Sequence, residues 1–107
     1  LQILENLNNI FKQILPISTA INNSDTAPDE YLIITPLDEH AEQYIDGSYG
    51  EDIQSARLVL FSKINYLPRK NQIYNILCSE LYTVTNRQYI GYDNETGYYQ
   101  YIFDVEK

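Results

Sequence analysis

Ile53-Gln54-Ser55-Ala56-Arg57-Leu58-Val59-Leu60-Phe61-Ser62-Lys63-Ile64 is the stretch on which the fold of this 107-residue chain turns. Residues alternate along it. Ala56, Leu58, Leu60 and Ile64 fall on one face and Arg57, Val59, Phe61 and Lys63 on the other, which is the period of a strand. A strand with one firmly apolar face needs a second layer against it, and the sequence on either side offers two. In residues 1–15, Ile3, Leu4, Leu7, Ile10, Phe11, Ile14 and Leu15 recur at spacings of three and four, the stripe of an amphipathic helix that Pro16 closes. Downstream, Pro68 suits a helix start, and Ile73, Tyr74, Ile76 and Leu77 give a second stripe over about residues 69–79. Cys78 lies beside that stripe and reads as a small core residue.

The remaining segments complete a sheet. Residues 22–29 read as a loop, and Tyr31-Leu32-Ile33-Ile34-Thr35 as a buried strand ended by Pro36. Between Pro36 and Asp52 the sequence is polar, acidic and broken by Gly47 and Gly50, so a loop is expected there, with a short strand over residues 42–45. Residues 82–92 and 98–105 are rich in tyrosine and β-branched side chains. The five residues Asp93-Asn94-Glu95-Thr96-Gly97 between them have hairpin turn chemistry. In the last strand Tyr99, Tyr101, Phe103 and Val105 share one face, and Tyr98, Gln100, Ile102 and Asp104 the other, which is partly apolar and partly wet. The predicted architecture is α+β, in the order α-β-β-β-α-β-β. It has two amphipathic helices packed on one mostly antiparallel β-sheet, as a single domain over residues 1–107.

Composition narrows the function by exclusion. No apolar run approaches the ~20 residues of a membrane helix, so no membrane role is expected. A lone Cys78 makes no internal disulfide, and no basic region followed by an apolar stretch opens the chain, so a cytoplasmic setting is expected. With one histidine and one cysteine, His40 and Cys78, on different elements, structural zinc within one chain is excluded. A calcium loop of Asp-x-Asp-x-Asp-Gly spacing is absent, as are a phosphate-cradling glycine loop, a nucleophile elbow and an HExxH helix. Neither His40 nor Cys78 is given a role. The expectation is a non-enzymatic protein with no catalytic residue, cofactor, metal or small-molecule substrate.

Charge is the informative property. Of 15 acidic and 7 basic side chains, nine acids fall within residues 25–52 (Asp25, Asp29, Glu30, Asp38, Glu39, Glu42, Asp46, Glu51 and Asp52) without one Lys or Arg. The remainder is nearly neutral. An overall charge of −8 argues against affinity for nucleic-acid phosphates. The acidic block admits three readings: a solvated loop, a surface that repels DNA, or a face complementary to Arg57, Lys63, Arg69 or Arg87 of another subunit. Tyrosine is the second signal. Eleven occur, with Tyr89, Tyr92, Tyr98, Tyr99 and Tyr101 in the C-terminal hairpin, and tyrosine is enriched both in strands and at protein interfaces.

The order of elements and several local phrases together resemble the tail-terminator family of long-tailed bacteriophages and prophages, also called tail completion, head-tail joining or minor capsid proteins. The phrases are the N-terminal amphipathic helix, the tyrosine-led strand at residues 31–35, Tyr44-Ile45-Asp46-Gly47, Leu58-Val59-Leu60-Phe61-Ser62-Lys63, and Tyr92-Asp93-Asn94-Glu95-Thr96-Gly97-Tyr98-Tyr99-Gln100-Tyr101. The resemblance spans nearly the whole chain and includes no catalytic motif. It implies a structural protein of virion assembly, a homo-oligomeric ring, typically a hexamer, that caps the tail tube and joins it to the head connector. Its partners would be other copies of itself, the tail-tube protein below and the connector or completion protein above. DNA would pass through without specific binding. The setting would be the host bacterial cytoplasm during assembly and then the head-tail interface of the virion. On this reading Asp38, Glu39, Glu42, Asp46, Glu51 and Asp52 line the lumen or a ring face, in a segment that orders on assembly, and Arg57, Lys63, Arg87, Tyr89, Tyr92 and Tyr98 form the subunit interface. The competing expectation is a small acidic inhibitory or immunity-type module that masks a basic protein partner.

Overall fold

A computed structural model describes residues 2–18, 29–43 and 49–107. The chain runs through α1 (Gln2–Phe11), β1 (Ile17–Ser18), β2 (Glu30–Gln43), β3 (Tyr49–Ser62), α2 (Leu67–Ser79), β4 (Thr83–Asp93) and β5 (Tyr98–Glu106). The expected order of elements holds. One five-stranded sheet has the order β1-β2-β3-β5-β4, antiparallel throughout except for the two-residue parallel pairing of β1 with β2.

Alternation along β3 sets the core. Ala56, Leu58, Leu60 and Ser62 are fully buried, and the register brings Leu32 opposite Leu60, Leu58 opposite Phe103 and Ala56 opposite Val105. These side chains form one core cluster with Ile3, Leu7, Phe11 and Leu15 of the N-terminal segment and with Ile73 and Leu77 of α2. Of the β5 face expected to hold Tyr99, Tyr101, Phe103 and Val105, the last three join the core and Tyr99 does not. The other face of β5 is drier than expected, because Tyr98, Ile102 and Asp104 are also buried.

Four sequence expectations are corrected. Pro36 does not end its strand. The Leu32 amide donates outward to the Pro16 carbonyl of the chain leading into β1 (2.9 Å), and two-residue alternation puts the nitrogens of Ile34 and Pro36 on that same outer side. Beyond Ile33 that side has no neighbouring strand among the described residues, so the missing proline donor leaves no described ladder partner unsatisfied, and the register shift between Pro36 and Asp38 absorbs the ring. Consequently the expected loop between Pro36 and Asp52 is mostly strand. Glu42 and Gln43 end β2, while Tyr44 and Ile45 of the expected short strand fall outside the described residues. Ile64, expected on the buried face, is exposed because β3 stops at Ser62; the Ser62 hydroxyl donates to the Ile64 carbonyl (3.0 Å) and accepts from its amide (3.3 Å), turning the chain away. Cys78 is exposed rather than core, one residue round the helix from buried Leu77.

Helix ends follow local chemistry. Leu67 begins α2 with Pro68 in its first turn, and the Leu67 amide donates to Asn65 Oδ1 (3.1 Å). At the far end the amides of Leu81 and Tyr82 donate to the carbonyls of Cys78 (3.1 Å) and Leu77 (3.0 Å), the paired bonds of a Schellman ending. Between β4 and β5 the expected turn is present. Asp93 accepts from the Glu95 amide (2.9 Å) and Gly97, at φ +80°, supplies the conformation other residues resist.

Candidate functional site

Three features stand out, and the first is an arm. The last β3–β5 register pair is Ser55 with Glu106, extended by reciprocal backbone bonds between Gln54 and Lys107. Past Gln54, which pairs with Glu39, β2 and β3 are the two strands among the described residues, pairing His40 with Ile53, Ala41 with Asp52 and Gln43 with Tyr49. Asp38, Glu39 and Glu42 lie on one strand of this ribbon and Glu51 and Asp52 on the other; Asp46 lies outside the described residues. Glu42, Glu51 and Asp52 therefore belong to one two-stranded projection, and Asp38 and Glu39 stand at its root, opposite Ser55 and Gln54; no Lys or Arg occurs between Pro36 and Ala56.

The second feature runs along α2, β4 and the C-terminus, where cations sit on tyrosine rings. Arg87 lies over Tyr74 (4.1 Å to the centroid), Lys70 over Tyr101 (5.2 Å), Lys107 over Tyr82 (4.6 Å) and Lys63 over Tyr98 (5.1 Å). Tyr66 stacks on Tyr89 at 5.3 Å and meets Tyr99 and Tyr101, while Tyr92 packs on Tyr99 at 4.8 Å. Strand β4 is exposed over most of its length and, among the described strands, pairs with β5. Tyr89, Ile90 and Tyr92 are its exposed apolar residues. Beside it an open recess is lined by Tyr74, Val84, Thr85, Asn86 and Arg87.

The third lies on the sheet face turned away from the core cluster. Arg57 and Asp104 stand directly opposite each other in the β3–β5 register, and the guanidinium donates through Nε to Oδ1 (2.7 Å) and through its terminal nitrogen to Oδ2 (3.1 Å). Asn86 Nδ2 adds a bond to Oδ2 (3.3 Å). The Arg57 hydrogen bonds hold the Asp104 carboxyl below its usual range against the opposing effect of burial. Further along, Tyr31 stacks on Phe61 at 4.7 Å, and Tyr98 meets both rings edge-on. Burial pushes the Tyr31 and Tyr98 hydroxyls up.

The residues expected at a subunit interface are thus dispersed. Arg57 is engaged by Asp104, and Tyr98 is buried with Tyr31 and Phe61. Arg87, Tyr89 and Tyr92 share β4, and Lys63 lies just past β3 over the Tyr98 ring. Arg69, also weighed as a complementary cation, is paired with Glu30 at 3.0 Å. The sequence reading missed the Arg57–Asp104 pair, although it had both residues on the non-core faces of their strands; the missing step was the register. Among the described residues no group of three or more His, Cys, Asp or Glu stands together as a metal site, and no helix is long and apolar enough to cross a membrane. No protein-family model matches this sequence, and no curated protein is significantly similar to it.

Proposed function

We propose that this protein is a non-enzymatic structural component of a long-tailed phage or prophage, a tail terminator whose copies form a ring, a hexamer in the simplest case, at the end of the tail tube. In this proposal each copy is a two-layer body, both helices backing one face of the sheet, and the ring joins the tube to the head connector. The observation that carries the reading is the acidic two-stranded arm extending past the last β5 pairing. A ring needs two different surfaces per subunit, and a projecting ribbon on one side with the exposed strand β4 on the other supplies them. Carboxylates on such an arm, facing a lumen, would deny passing DNA the phosphate contacts that Lys and Arg make. The assembly would form in the host cytoplasm and persist in the virion.

The test is electron microscopy of the purified chain mixed with bare-ended tail tubes, beside light scattering of the chain alone. Rings seated on tube ends are expected. A chain that leaves tubes uncapped and instead binds a cationic protein as a monomer overturns the proposal in favour of an inhibitory module, for which the same acidic arm would be the masking surface.

A further inference from the structure

The sheet has two sides on which another strand can add, and they differ. On the β2 side, β1 covers Leu32 and Ile33, and after the Ile34 amide Pro36 removes the next outward donor, so within the body this edge is blunted in the ways natural sheets protect edges. Beyond Pro36, over Asp38 to Gln43, no described strand pairs with it. On the other side β4 presents an eleven-residue exposed edge with no proline or lysine. Strands β2 and β4 run in opposite directions, since three antiparallel pairings separate them.

Charge matches these two edges to each other. The arm carries Glu42, Glu51 and Asp52, and its root Asp38 and Glu39, with no Lys or Arg. Residues 63–93, which lead into and include α2 and β4, carry Lys63, Arg69, Lys70 and Arg87 against Glu80 and Asp93. Of those cations Arg69 is already paired with Glu30, whereas Lys63, Lys70 and Arg87 rest on tyrosine rings. Arg87 alone among them belongs to β4 itself.

We infer that the β4 edge takes the acidic arm of a second copy as an added antiparallel strand, with Arg87 facing the arm's carboxylates. A copy displaced without being turned over presents its β2 antiparallel to β4, so main-chain hydrogen bonds extend the sheet from subunit to subunit. Charge fixes which edges meet. The contact is heterologous, because arm and β4 are different surfaces of one chain, and repeating it generates a ring or a filament. This deepens the assembly proposed above and rests on that reading only for its biological setting.

The test is light scattering of the full chain over a concentration series at low salt, with two variants, Arg87→Glu and the arm triple Asp38→Lys, Glu39→Lys, Asp52→Lys. Circular dichroism establishes that each folds. The chain is expected to assemble beyond a dimer and each variant to lose at least about tenfold in association. An equimolar mixture of the two variants is expected to recover, because the reversed edge then meets the reversed arm. A parent chain that stays monomeric throughout, variants that assemble like the parent, or a dimer indifferent to the arm substitutions overturns the inference, the last pointing to β4 pairing with another β4. Tube capping, scored on the same samples, separates the two proposals. A recovered mixture that forms rings but leaves tubes bare sinks the tail-terminator reading and keeps the contact; an arm variant that caps tubes undiminished does the reverse.

Discussion

Leu81 occupies the left-handed region at φ 66° with 79% of its surface exposed, at the position of the helix ending that glycine normally fills. An L-residue there is strained by about 1–2 kcal/mol, with no burial to offset it. Leu81→Gly is therefore expected to raise stability by about 1 kcal/mol, read as a later urea midpoint at unchanged slope. Asp104 makes the opposite case. It is 8% exposed and accepts from Arg57 and Asn86, so Arg57→Ala strands a buried carboxylate. Because the Arg57 side chain is itself 41% exposed, solvent screening reduces the loss to about 1.5 kcal/mol. The sign with pH follows from the lowered carboxyl. The unfolded chain takes up the proton first, near the ordinary value of about 3.9, so the pair's contribution is present above that pH and lost as pH falls through it toward the lower folded value. The gap between parent and Arg57→Ala is expected to narrow below about pH 4 in unfolding curves. For Tyr31, Tyr82 and Tyr98, raised chiefly by burial, the direction reverses: their contribution is intact below about pH 10 and lost as pH rises further.

Among the elements, strands were legible wherever one face meets the core. The alternation of Ala56, Leu58 and Leu60, the Asp93–Gly97 turn and the inward set Tyr101, Phe103, Val105 could be read because burial imposes period two on the sequence. Continuation of β2 and β3 into the arm could not. A ribbon beyond the core has no face whose burial would select apolar residues, so Asp38, Glu39 and Glu42 carry no strand signature, and Pro36 reads as a stop until its outward nitrogen is seen. The candidate surfaces divide along the same line. Residues 38–52 could be singled out by charge, whereas the burial of Tyr98 and the engagement of Arg57 depend on cross-strand register, which charge and periodicity do not report. The arm also differs from the body in what protects its backbone. Two strands alone are marginal in water, while β3 between Ala56 and Phe61 has neighbours on both sides and core packing beneath. Amide exchange is expected to be faster by orders of magnitude over Asp38 to Gln43 than over Leu58 to Leu60, and equal protection in the isolated chain would mean that a partner already covers the arm.

At the scale of the molecule, the radius of gyration is 15.4 Å and the extents are 54 × 25 × 25 Å, whereas a compact chain of this length has a radius of about 13 Å. The core cluster among the described residues draws on α1, α2 and the body portions of the strands, from Leu32 through Ala56, Leu60, Phe103 and Val105. Folding and projection are thereby separated: the body holds the hydrophobic driving force, and the arm adds reach and negative charge. Replacing residues 38–54 by a two-residue Asn-Gly turn, which joins Leu37 to Ser55 and keeps Pro36 opposite Ala56, is expected to leave one cooperative unfolding transition while bringing the radius measured by small-angle scattering down to about 13 Å. The replacement also removes Asp38, Glu39, Glu42, Glu51 and Asp52 together with the β2 edge over Asp38 to Gln43, so the shortened chain should remain monomeric under low-salt conditions in which the parent assembles. A shortened chain that unfolds in two steps or loses its near-ultraviolet signature would show that the arm belongs to the folding unit. One that stays folded and still assembles would show that the body edge β4 is sufficient without it.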